Sequence, residues 1–145
     1  MPRYEFHGVS EQRKASLKRK RDAWALFRSG AEHARGAMYI GGYAIESKLK
    51  SIAMEIHRCR TLAQLATKLR LKESDFYTHG LEALAKKLPL HPRLQRSVVW
   101  HDFASYVNRW RPAWRYDPND WPSREAELFL QAVDRVYDWL KSNRC

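Results

Sequence analysis

Apolar residues recur along the chain at three- and four-residue spacings and nowhere alternate with polar ones for more than a few positions, so the pattern predicts helices and no strands. A first helix is expected over about Glu11 to Arg35, with Leu17, Trp24, Phe27, Ala31 and Ala34 on one stripe and a break or kink at Gly36. A second spans Met38 to His57, where Ile45, Leu49, Ile52, Ala53 and Ile56 face inward. Gly41 and Gly42 near its start weaken a helix by about 1 kcal/mol each, and close approach of a neighbouring element is the expected compensation. Thr61 caps a third helix ending near Leu71, with Gln64 completing a capping box and Leu62, Leu65, Ala66 and Leu69 buried.

Further along, Leu81, Leu84, Ala85 and Leu88 predict a short helix over Thr78 to Leu88, stopped by Pro89. Another is expected from Pro92 to about Trp110 through Leu94, Val98, Val99, Phe103, Tyr106 and Trp110. The stretch Arg111 to Pro122 holds three prolines with Asn119 and Asp120, the composition of an ordered, tryptophan-rich loop. Ser123 then caps a last helix, with Glu125 and Glu127 favourably set against its dipole and Phe129, Val133, Val136 and Leu140 inward. The expected architecture is an all-α, single-domain bundle of four main helices plus short ones over residues 11–145, preceded by a flexible N-terminal tail, 1–10. A chain of 145 residues suits one domain.

The longest weakly polar stretch, Gly36 to Ile45, falls far short of the roughly 20 residues that span a bilayer, so no membrane partner is expected. The first ten residues carry Arg3, Glu5 and His7 where a signal peptide needs an apolar segment. Two cysteines, Cys59 and Cys145, lack CxxC spacing. A cytoplasmic protein is the expectation.

Charge narrows the reading further. The net charge is +11, and residues 1–72 carry 16 basic and 6 acidic side chains against 11 and 10 in residues 73–145. A one-sided excess of this size attracts polyanions, of which nucleic acid is the commonest inside a cell. The run Arg13, Lys14, Lys18, Arg19, Lys20 and Arg21 puts six cations in nine residues, and their helical positions cover much of the circumference, either as a solvated face or as phosphate contacts without sequence specificity. Trp100, Trp110, Trp114 and Trp121 fall among Arg109, Arg111 and Arg115. Arg109, Arg111 and Trp114 are therefore candidates for stacking on bases while holding phosphate; the alternative is that the tryptophans fill the core. His57 and Cys59 lack two further ligands for a metal, and no metal or cofactor is expected. No glycine-rich phosphate loop or Gly-x-Ser-x-Gly turn occurs, which excludes the kinases and hydrolases built on them. Glu46 and Lys50, four apart, read by spacing alone as a surface ion pair.

The segment Met38-Tyr-Ile-Gly-Gly-Tyr-Ala-Ile-Glu-Ser-Lys-Leu-Lys, through Gly42, Tyr43, Ala44, Ile45, Glu46, Leu49 and Lys50, resembles the second-helix signature of HEPN domains, small helical bundles named for nucleotide binding. Thr78-His79-Gly80-Leu81-Glu82-Ala83-Leu84 is similar to the His-Asp-Leu helix start of one HEPN branch, with Gly80 in place of Asp. Trp110 followed by Trp114-Arg115-Tyr116-Asp117-Pro118 resembles the Arg-Tyr-Pro loop before the final helix there. The resemblance covers about residues 20–142. It implies a homodimer, a structural buried carboxylate at Glu46, and a toxin–antitoxin or defence setting with a nucleotidyltransferase-type or other protein partner; His79, at an expected helix start where a ring nitrogen can bond a backbone group, and Tyr116 are read as structural.

Active members of that family are metal-independent endoribonucleases marked by an Arg and a His separated by four to six residues. Cleaving RNA at its own 2′-hydroxyl needs a base titrating near neutrality and a fixed cation for the charge growing on phosphorus oxygens. Arg96-Ser-Val-Val-Trp-His101 has that spacing, whereas Arg115 stands where chain order puts the family's arginine, just before the last helix. On one continuous helix, residues five apart point roughly 140° from each other, so Arg96 and His101 need a kink or a dimer to meet. The expected function is a HEPN-like protein engaging RNA, with metal-independent endoribonuclease activity as its enzymatic form and Arg96, His101 and Arg115 as site residues. The alternative is a non-catalytic module docking on nucleic acid or an acidic protein.

Overall fold

The computed structural model describes residues 8–72 and 80–143, and among them the protein is a single all-α bundle with no strand. The long helices are α1 (Val9–Ser29), α2 (Ala34–Ile56) and α7 (Ser123–Ser142); between α2 and α7 lie α3 (Leu62–Lys68), α4 (Leu81–Ala85), α5 (His91–Gln95), α6 (Trp100–Ser105) and 3-10 turns at Val107–Arg109 and Pro112–Tyr116. The helix start expected at Thr78 and His79, and most of the tail expected over 1–10, lie outside the described residues; α1 itself begins at Val9.

α1 and α2 form an antiparallel hairpin. Arg13 meets Glu55 across it, Ala23 lies against Gly41, and Leu26 lies against Gly36. The break falls at Gly30 rather than Gly36. Gly30 has φ 155° and ψ 156°, a region closed to residues with a β-carbon, whereas Gly36 runs inside α2. Leu17, expected in the buried stripe, is 39% exposed; Ser16 and Ala23 are the buried residues of α1. The Ser16 hydroxyl lies 3.0 Å from that of Tyr137, tying α1 to α7.

α2 is the central element. Every residue from Ala44 to Met54 is buried, because α1, α7 and the segment from α3 to the 3-10 turns pack around it. The expected compensation for Gly41 and Gly42 is present: a β-carbon at Gly41 would stand 2.6 Å from Leu130 Cδ2, and one at Gly42 would overlap the Trp110 indole.

The long helix expected over Pro92 to Trp110 is instead three short pieces. The Ser97 hydroxyl donates to the Leu94 carbonyl and accepts from the Val99 N–H, partnering backbone groups that a continuous helix would pair within its own ladder. Val98, expected inside, is 94% exposed at this turn. The chain breaks again at Tyr106, the C-cap of α6. Elsewhere Thr61 caps α3 by accepting the Gln64 N–H, while the Gln64 side chain accepts from Arg60 rather than from Thr61. Ser123 is the first residue of α7 and makes no capping bond; the cap position is Pro122.

Candidate nucleic-acid site

The basic run lies along exposed and half-exposed turns of α1, but it is not a free ridge of six cations. Arg13 binds Glu55 at 2.9 Å, Lys18 and Arg19 share Asp22 at 3.3 Å, and Lys20 lies 3.9 and 3.8 Å from Asp134 and Asp138. Among the described residues Lys14 and Arg21 have no carboxylate partner. Exposed ion pairs of this kind are worth only about 0–1 kcal/mol, so a phosphate can displace them.

Between α1 and α7 a groove of about 380 Å³ is lined by Lys20, Arg21, Trp24, Arg28 and Asp134. The Trp24 indole N–H donates to Asp134 Oδ2 at 2.8 Å, and the Arg28 guanidinium lies over the same ring at 5.5 Å. Burial raises the pKa of Asp134, opposed by the Trp24 bond and by Lys20. Sequence reasoning singled out neither Trp24 nor Arg28 as a binding residue. Their signal was the helical spacing that sets Arg21, Trp24 and Arg28 on one face.

Arg96 and His101 are both exposed, Arg96 closing α5 and His101 in the first turn of α6. No hydrogen bond or ring contact joins them, and Arg115 reaches neither; its guanidinium donates to the Tyr116 hydroxyl at 2.6 Å and lies over that ring. His101 is brought instead to Ser105, whose hydroxyl is 3.4 Å from Nδ1, and to the edge of the Tyr106 ring. Arg109 also lies against Tyr106, 5.8 Å from the ring centroid. On the other side of α6, Asp102 accepts a two-pronged bond from Arg135 at 2.8 and 2.9 Å, which fixes α6 on α7. Arg109 is thus the arginine that shares an aromatic neighbour with His101.

The tryptophans of the later segment are structural. Trp110 is fully buried, Trp100 stacks on Phe103, and Trp114 packs on Phe129. Trp114 and Trp121 also enclose the Arg35 guanidinium, 4.1 and 3.6 Å from their ring centroids, with Asp117 at 3.2 Å. This clamp, built on the first turn of α2, holds down the loop over residues 111–122. Arg111 is likewise engaged within the fold, donating to the carbonyls of Asn108 and Trp110. Arg111 is therefore not a free phosphate-binding group and Trp114 is held by Arg35 and Phe129, whereas Arg109 is exposed.

Glu46 is not on a surface. It and Lys50 form an ion pair in which each side chain is 4% exposed. Burial raises the Glu46 pKa, and Lys50 opposes that. Tyr116 is 72% exposed, and His79 lies outside the described residues.

Among the described residues no cluster of His, Cys, Asp or Glu could hold a metal ion, and no helix is long and apolar enough to cross a membrane. Three comparisons with known proteins give no match: no family model, no curated protein and no solved structure matches the chain.

Proposed function

We propose that the protein is an RNA-binding bundle of the HEPN type, contacting phosphates through the face of α1 that carries Lys14, Arg21 and Arg28. The observation that carries this reading is the groove beside Trp24, where Arg21 and Arg28 have no carboxylate partner among the described residues and Lys20 is only loosely held. Cations over an aromatic ring suit a flexible strand, since the ring accepts any base and the cations follow the backbone. The resemblance is supported by one contact between its pieces, Trp110 filling the space over Gly42, and by the buried pairing of Glu46 with Lys50 within the helix signature. A homodimer belongs to the same reading, and its mass by light scattering checks it. The test of RNA binding is anisotropy of a labelled single-stranded RNA across a salt series. Affinity should fall steeply with salt as counterions are released, and Lys14→Gln, Arg21→Gln and Arg28→Gln together should flatten the slope. A salt-independent affinity, or one that the triple variant leaves unchanged, sinks the reading.

A second reading, metal-independent cleavage, is favoured by the contacts around Tyr106. His101 would take the proton of a 2′-hydroxyl as that oxygen attacks phosphorus, and Arg109 would offset the charge on the phosphoryl oxygens. The bond to the 5′-oxygen breaks, that oxygen takes a proton from water, and a 2′,3′-cyclic phosphate remains. Incubation with RNA in excess chelator should give cyclic-phosphate ends that His101→Ala and Arg109→Ala abolish and Arg96→Ala does not. Absence of such ends with the unaltered protein rules it out.

A further inference from the structure

Where the loop over residues 111–122 folds against α7, a cavity of about 260 Å³ is walled by Tyr106, Trp114, Trp121 and Phe129, with Arg109 and Glu125 at its polar positions. It is smaller than the roughly 300–1,000 Å³ of pockets that bury drug-sized ligands, a size suited to one flat heterocycle. The two charges facing it have opposite sign, yet no ion pair joins them. Among the described residues neither Arg109 nor Glu125 has a side-chain hydrogen-bond partner; Arg109 lies against the Tyr106 ring, and Glu125 feels the charge of Arg35 behind Trp114 and Trp121 without bonding to it. A site with aromatic walls and with one cation and one carboxylate whose side-chain hydrogen-bonding atoms are unused fits a ligand that is planar, anionic at one end and a hydrogen-bond donor at the other.

We infer that this cavity holds a guanine base of single-stranded RNA, with Glu125 reading the base edge and Arg109 the adjoining phosphate. An ionised carboxylate only accepts hydrogen bonds, at two oxygens side by side. Guanine alone among the four bases offers two adjacent donors, N1–H and the 2-amino group, on its pairing edge. Adenine and cytosine set an acceptor beside their amino donor, and uracil sets its single donor between two carbonyl acceptors; each places an acceptor against the carboxylate. Recognition of splayed bases by stacking plus edge hydrogen bonds is how single-stranded RNA is read for sequence. The cavity thereby adds base selectivity to the sequence-blind phosphate contacts of α1. Tyr106, which forms one wall, also touches His101.

The inference rests on the RNA reading for its ligand but is tested without RNA. GMP, AMP, CMP and UMP are titrated separately against the full chain, with quenching of tryptophan emission as the readout, since Trp114 and Trp121 line the cavity. GMP should bind at least ten times more tightly than the other three. Glu125→Gln, which replaces one acceptor by a donor, should bring the four within about threefold of one another, a difference set by the lost charge-assisted bond. Arg109→Ala should abolish the advantage of GMP over guanosine while keeping the preference for guanine. Circular dichroism confirms that both variants fold. Equal binding of all four, binding of none, selectivity surviving in Glu125→Gln, or saturation by a free amino acid in place of any nucleotide overturns the assignment. Salt-dependent RNA binding without GMP binding removes the pocket and leaves the RNA reading standing; GMP selectivity without RNA binding does the reverse.

Discussion

The indole of Trp110 occupies the space that a β-carbon on Gly42 would need, and it is pinned there from two directions. Its N–H donates to the Tyr39 carbonyl at 2.8 Å, and its ring stacks on Tyr39 at an interplanar angle of 22°. Gly41, one residue earlier, faces the tip of Leu130, which can swing aside. Gly42→Ala should therefore destabilise the protein by about 1–3 kcal/mol, the usual range for overpacking a core. Gly41→Ala should cost less, because Leu130 gives way more easily than the indole, while the roughly 1 kcal/mol that the better helix propensity of Ala returns is common to both sites. Urea titration of both variants checks the order, and equal losses would mean that Trp110 yields as easily as Leu130.

The buried pair of Glu46 and Lys50 predicts a double-mutant result. Removing Lys50 leaves the buried Glu46 carboxyl without this cation and should cost about 3–5 kcal/mol, while Glu46→Leu with Lys50→Met together should cost less than that single change. The pH dependence follows in sign. The folded-state pKa of Glu46 is raised, chiefly by burial, so the native protein holds this proton where the unfolded chain has released it. This contribution to stability is full below the ordinary carboxylate range and is lost as pH rises through the raised value. Glu46→Gln should remove that downward trend from a stability profile taken between pH 4 and 8.

Arg35 gives a prediction about geometry rather than charge. A lysine keeps the charge but loses the flat guanidinium that lies between Trp114 and Trp121, so Arg35→Lys should cost about 2 kcal/mol, the scale of a desolvated cation–π contact. Tryptophan emission should shift to the red as the rings meet water. The partner carboxyl of Asp117 has a lowered pKa, chiefly because it accepts the Asn119 N–H, with Trp121 and Arg35 adding to the effect. Its stabilisation is present above the ordinary carboxylate range and is lost as pH falls through the lowered value. Asp117→Asn should flatten that acid limb, and an unchanged limb would show the clamp to be independent of the carboxylate.

Arg58 and Arg70 both sit at φ 55°, just past the ends of α2 and α3, where the next N–H closes a six-residue loop: Cys59 to Met54 at 2.9 Å and Leu71 to Ala66 at 2.8 Å. This is the helix-ending turn that glycine favours. Arg58→Gly and Arg70→Gly should each raise stability by about 0.5–1 kcal/mol, since the left-handed backbone costs a residue with a β-carbon. Thermal melts of the two variants decide it.

The long helices were legible because a sustained apolar stripe has one good solution, and α2 and α7 lie close to where their spacing puts them. The segment from Pro92 to Trp110 carries an equally regular stripe, yet it folds as separate turns. There the choice is made by Ser97, whose hydroxyl serves two backbone groups, and side-chain periodicity does not register that competition. Gly30 and Gly36 are alike on paper; the close approach of Leu26 to Gly36 is a contact between α1 and α2 that no local pattern registers. The candidate site was half legible. His101 stood out by residue type, but its aromatic link to Arg109 depends on the break at Tyr106. The cation that balances Asp117 comes from α2, far outside any local window.

The all-round enclosure of α2 between Ala44 and Met54 has a kinetic corollary. Amides in those turns have no face from which the helix can fray, so they should exchange with deuterated solvent only when the whole domain opens. They would then report the global unfolding free energy, while α4, α5 and α6 exchange through smaller local openings. Any molecule that acts on this protein must therefore work through its outer shell, because the helix at its axis is the last part that solvent reaches.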